Sequence, residues 1–110
     1  MSWTTVLLPD AVAELGKLPR GEAVAVANVI KKLESVGIDL GYPHSSQVRD
    51  ADRLRELRPR GGRCPWRAFY RRVGDVFVVA AVGPEHDHDP KGFKKAVELA
   101  AKRLEELEVD

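Results

Sequence analysis

Trp66-Arg67-Ala68-Phe69-Tyr70-Arg71-Arg72-Val73-Gly74-Asp75-Val76-Phe77-Val78-Val79-Ala80-Ala81-Val82 is the stretch on which the fold turns. Two runs rich in β-branched and aromatic residues flank Gly74-Asp75, a two-residue loop in which glycine supplies the positive φ that a tight hairpin needs. The spacing predicts antiparallel strands over 66–73 and 76–82. The first mixes charged with apolar residues, as half-exposed strands do, whereas the second is apolar on both faces and belongs inside a sheet.

Upstream, 53–58 reads as a further strand, joined to Trp66 by the glycine- and proline-rich stretch 59–65, so that three strands make a meander. Residues 40–52 carry the breakers Gly41, Pro43, Ser45 and Ser46 and read as a loop. Before them, Val26, Val29, Ile30, Leu33 and Val36 recur at the spacing of one helical face, and Gly37 suits the left-handed residue that ends a helix. Residues 3–8 are apolar and β-branched enough for a strand. Pro9-Asp10 then opens a short helix through Leu18, and Pro19-Arg20-Gly21 separates the two helices. Downstream, Asp89-Pro90 caps a final helix to Leu107, along which Phe93, Val97, Ala100, Leu104 and Leu107 form a narrow apolar seam. The expected architecture is α+β: a strand, a helical hairpin, a three-stranded antiparallel meander joined by the N-terminal strand, and a C-terminal helix. One sheet face packs on helices and the other displays arginines.

A chain of 110 residues with 44% hydrophobic content fits one domain over 1–110, because halving it would leave each part too small to bury a core. Cys64 is the single cysteine, which excludes an internal disulfide, and no charged start followed by an apolar run marks a signal peptide. The apolar run 76–82 falls far short of the roughly 20 residues that span a bilayer. A cytoplasmic protein without a membrane partner is expected.

Net charge is only +1, yet it is unevenly spread: 1–40 holds four basic and five acidic residues, 41–95 twelve and seven, and the remainder two and five. Between Arg53 and Arg72 stand eight arginines, Glu56 as the one acid, and no lysine. A local field of one sign points to a polyanion.

Leu54-Arg55-Glu56-Leu57-Arg58 resembles the short "hydrophobic-x-E-L-R" strand of the RelE/ParE toxin superfamily, and Arg67-Ala68-Phe69-Tyr70 resembles its next strand, "R-hydrophobic-hydrophobic-Y". The order of elements is similar over most of the chain. The branch it resembles most is the HigB-like, phage-derived group, in which the apolar strand leads to an "F-x-K-K" segment; here Phe93-Lys94-Lys95 follows after an extra stretch, with Ala96 where the second lysine would fall. The resemblance implies the toxin of a type II toxin-antitoxin pair, which cleaves mRNA on the ribosome and is held inactive by a cognate antitoxin protein. The same fold also serves ParE-like toxins that grip a protein target without cutting RNA, and a relic would retain nucleic-acid affinity alone.

RNA cleavage of this kind makes the ribose 2′-hydroxyl attack the adjacent phosphate, so the protein must orient the phosphate, neutralise its oxygens and move protons. Arginine's planar, permanently charged fork suits the first two tasks. Arg58, Arg67 and Arg71 form the expected phosphate set, Arg67 and Arg71 sharing a strand face by their even spacing. Arg55, Arg60, Arg63, Lys91, Lys94 and Lys95 would extend the basic surface along RNA. Tyr70 matches the family's strand tyrosine and is open to base stacking, proton transfer or core packing; Trp66 is open to stacking or core capping. Glu85-His86-Asp87-His88-Asp89 has ligand-type side chains, but a metal site would need convergence from elsewhere, and the only other histidine is His44. More weight falls on His86 or His88 as general acid or base, since histidine changes charge near neutrality. No metal and no cofactor is expected.

Overall fold

Val76–Pro84 forms an inner strand of a five-stranded sheet, as its two apolar faces require. In the computed structural model, which describes residues 3–108, the order is β1 (Thr4–Leu7), α1 (Pro9–Gly16), α2 (Arg20–Val36), β2 (Ser45–Gln47), β3 (Arg55–Leu57), β4 (Trp66–Val73), β5 (Val76–Pro84) and α3 (Pro90–Glu108). The sheet order is β1-β5-β4-β3-β2, with β1 parallel to β5 and the other neighbours antiparallel. The hairpin is as expected: Val73 pairs with Val76, and Gly74 between them has φ 61°. Gly37 ends α2 at φ 69°, and a side chain there would collide with the Trp3 indole.

Two helical layers enclose the sheet. Ala11 of α1 and Val26, Val29, Ile30 and Leu33 of α2 pack on Leu57, Ala68, Tyr70, Phe77 and Val79. On the opposite face, Ala96, Ala100 and Leu104 of α3 pack on Leu54, Phe69, Val78 and Ala80. Each fully buried leucine or phenylalanine in these layers contributes about 1.5–3 kcal/mol.

Two expectations are corrected. The face that carries Arg67 and Arg71 does not display them: Phe69, Leu54 and Val78 make it apolar, α3 covers it, and the two arginines are left 2% and 7% exposed. Residues 40–52 are not all loop, because Ser45-Ser46-Gln47 adds β2 to the meander, with Ser45 opposite Leu57 and Gln47 opposite Arg55. A three-residue polar strand has too little alternation to be seen in sequence, and its shortness and polarity suit an exposed edge.

β5 also carries a bulge. Phe69 faces Ala81 and Tyr70 faces Val79, so Ala80 is the extra residue. β1 stops opposite Val79, leaving the bulged half of β5 without a strand on that side.

Candidate functional site

The long β4 strand and the short β3 strand place the arginines at different depths and on different faces. Glu56 and Leu57 face opposite ways; Leu57 enters the core under α1 and α2, and Glu56 stands on the α3 side beside Arg67. Arg67 Nη1 donates to the carbonyls of Cys64 (2.7 Å) and Trp66 (2.9 Å), and Nη2 donates to that of Gly62 (3.3 Å). Its guanidinium also lies 3.8 Å from Glu56 and 3.7 Å from Glu85. Burial lowers the Arg67 pKa from its ordinary value, and the two carboxylates work against that shift. Arg67 therefore organises the 59–65 turn from within.

Arg58 is less buried. Its Nη1 donates to Glu56 Oε1 at 3.2 Å, its Nε donates to the Pro43 carbonyl at 3.1 Å, and its guanidinium carbon sits 5.1 Å from the centre of the Tyr42 ring. Glu56, which also accepts from Ser46 Oγ at 3.3 Å, is thus held between Arg58 and Arg67.

Glu56 and His86 line one groove of about 310 Å³ with Gln47, Val48, Arg49 and Phe93. It adjoins a larger one, about 570 Å³, lined by Arg49, Lys91 and Lys94 together with the acids Asp50 and Glu98, over Val48, Phe93 and Val97. His86 belongs to both, its ring 5.4 Å from that of Phe93 and edge-on to it, with Nδ1 3.2 Å from Asp87. Asp89 caps α3 by accepting from the Gly92 amide at 3.0 Å.

The other expected residues lie elsewhere. Arg71 occupies the far end of the α3-covered face, where Nη2 donates to the Asp52 carbonyl at 2.9 Å. Tyr70 points into the opposite core, 2% exposed, its hydroxyl 2.6 Å from Ser45 Oγ and accepting from Arg55 Nε at 3.3 Å. Trp66 packs beside that core, and its indole N–H donates to Glu22. Arg60 and Arg63 are exposed on the turn after β3, Arg60 with φ 55°. His88 and Lys95 are exposed outside both grooves. Among the described residues no group of three His, Cys, Asp or Glu side chains is arranged to hold a metal ion.

Sequence reasoning missed Arg49, Gln47 and Glu56 as groove residues. Glu56 had a visible signal, as the one acid among eight arginines. Arg49 and Gln47 had none, since their position depends on β2.

This sheet, with a helical hairpin on one face and a terminal helix on the other, is the fold of the RelE toxins. Two solved structures share it: the toxin-antitoxin complex RelBE2 from Mycobacterium tuberculosis, at TM-score 0.60 and 19% identity over 77% of this chain and 100% of that one, and a mutant of the Escherichia coli toxin RelE in the free state, at TM-score 0.63 and 14% identity over 89% and 97%. The chain belongs to the family of phage-derived Gp49-like proteins (DUF891), whose model matches residues 13–105. Curated proteins give no match.

Proposed function

We propose that this chain is the toxin of a toxin-antitoxin pair and cleaves mRNA on the ribosome, with the reaction centred on the groove between β2, β3 and the start of α3. The observation that carries this reading is the presence of Glu56 and His86 in one groove, with arginine on both sides of the carboxylate. Glu56 takes the 2′-hydroxyl proton as that oxygen attacks phosphorus. His86 returns a proton to the departing 5′ oxygen, which leaves a 2′,3′-cyclic phosphate. Arg58 neutralises the phosphate, Arg67 positions Glu56, and Arg49, Lys91 and Lys94 hold the backbone on either side. A cognate antitoxin protein would silence the toxin by covering this groove.

The test is to add the purified chain to a reconstituted translation system and sequence the mRNA ends. Fragments ending in cyclic phosphate, absent with Glu56→Gln and with His86→Ala, are the expected result. Intact mRNA under conditions where the chain still blocks growth would overturn it in favour of a protein target.

A further inference from the structure

Tyr42 is the most exposed large hydrophobic residue among those described, at 77%, and it is linked to the groove residue Glu56 through Arg58. Its ring is not loosely placed. The Arg58 guanidinium lies over it at 5.1 Å and is itself fixed by the Pro43 carbonyl and by Glu56. One side chain, Arg58, therefore joins the aromatic ring to the proposed general base. Beyond it, on the α2 side of the sheet, a third groove of about 270 Å³ gathers Lys32, His44 and Arg60 from three separate parts of the chain over a floor of Ala25 and Val29. No carboxylate lines it. Arg60, itself left-handed at φ 55° in the turn after β3, reaches over to α2, where its Nη2 donates to the Gly21 carbonyl at 3.4 Å; Gly61 and Gly62 also have positive φ, and Arg63 Nε donates to the Arg60 carbonyl at 3.0 Å.

We infer that Tyr42 is a stacking platform for one RNA base next to the cleaved phosphate, and that Lys32, His44 and Arg60 bind the backbone phosphates of the nucleotides beyond it. This rests on the reading of the chain as an RNA-cleaving toxin. An exposed aromatic face near a groove lined by cations and no carboxylate is what single-stranded nucleic acid takes: bases stack on the ring while the cations follow the phosphates. With Arg58 over one face of the ring, the other is left for a base. The strand would run from the His86 groove past Arg58, over Tyr42, and onto the α2 side. Stacking accepts every base but favours purines, so Tyr42 sets a preference at that one position.

The experiment measures binding of the full chain to a fluorescent single-stranded 2′-O-methyl RNA octamer, which cannot be cleaved, at several salt concentrations. Tyr42→Ala should weaken binding about 5- to 100-fold with the salt slope unchanged, and Tyr42→Trp should restore it. Arg60→Ala and Lys32→Ala should each reduce the salt slope by about 0.7, the signature of a lost phosphate contact on a single strand. Wild-type affinity in Tyr42→Ala, while the wild-type chain binds the octamer, overturns this inference alone. No binding by the wild-type chain overturns it together with the reading of the groove as an RNA site.

Discussion

Glu14 of α1 and Arg103 of α3 meet in a two-pronged ion pair, with oxygen-nitrogen distances of 3.1 and 3.0 Å, at the edge of β5 that β1 leaves open. The pair takes over the strand's work there. Glu14 Oε1 accepts from the Val82 amide at 3.0 Å, and Arg103 Nη1 donates to the carbonyl of the bulge residue Ala80 at 2.8 Å. Asp10 adds a second carboxylate, 3.4 Å from Arg103 Nε. The Arg103 pKa is raised, chiefly by the hydrogen bonds to Glu14. A raised folded-state value means that this contribution is complete at neutral pH and is lost only in strong alkali. Glu14→Ala and Arg103→Ala should each lower stability by about 1.5–3 kcal/mol. The double variant should cost less than their sum, because each single change already removes the same shared interaction and strands the other member of the pair. Urea unfolding of the four proteins in the cycle checks this.

Arg67→Ala should act first on stability. It removes three bonds to backbone carbonyls and leaves Glu56 and Glu85 without the cation between them. Breaking a buried pair from one side costs about 3–5 kcal/mol, a large part of what a domain of this size has. Arg67→Lys should recover part of it, since one ammonium cannot span the carbonyls of Gly62, Cys64 and Trp66 together. Thermal unfolding should rank the proteins wild type, lysine, alanine. Loss of cleavage in the alanine variant would then report folding as much as chemistry.

Tyr70→Phe separates a core role from a chemical one. The hydroxyl sits 2.6 Å from Ser45 Oγ, on the sheet face opposite Glu56 and His86. Its removal takes one of two partners from the buried Ser45 hydroxyl, which still accepts from Arg55 Nε at 3.1 Å, and should lower stability by about 1 kcal/mol. RNA cleavage at a temperature where both proteins are folded should stay at the wild-type level. A drop of tenfold or more would move Tyr70 into the reaction.

The hairpin, both helices of the N-terminal half and α3 were legible because each carries its own period or its own punctuation: Gly74-Asp75 for the turn, Gly37 for the end of α2, Asp89-Pro90 for the start of α3. The face of β4 that binds Arg67 and Arg71 was legible as a face, and its environment was not. An alternating pattern tells which side chains share a surface but not whether a distant helix will cover it, and α3 comes some 20 residues later. Arginine misleads here in particular, since a buried guanidinium that spends its donors on carbonyls has the same sequence signature as an exposed one awaiting phosphate. The groove was illegible for a related reason. Its walls come from β2, β3 and the start of α3, and β2 exists only because β3 offers Ser45-Ser46-Gln47 an edge.

His86→Ala gives the sharpest contrast with the structural variants, and Glu56→Gln tests the proposed base at a temperature where the variant is folded. His86 is exposed, and its contacts are one hydrogen-bond partner, Asp87, and the edge of Phe93, so its loss should change stability by no more than about 0.5 kcal/mol. Glu56→Gln keeps the shape of the side chain and one acceptor oxygen for Arg58, but it cannot take a proton. If the two residues transfer protons in the same step, each variant should cleave about 100- to 10,000-fold more slowly while still binding uncleavable RNA. The double variant should then be hardly slower than the worse single one, because groups that act as a unit are not additive. Single-turnover cleavage, with binding measured in parallel, reads both quantities. Equal losses in binding and cleavage would make His86 a phosphate contact like Lys91 and Lys94, and the proton would have to come from the ribosome.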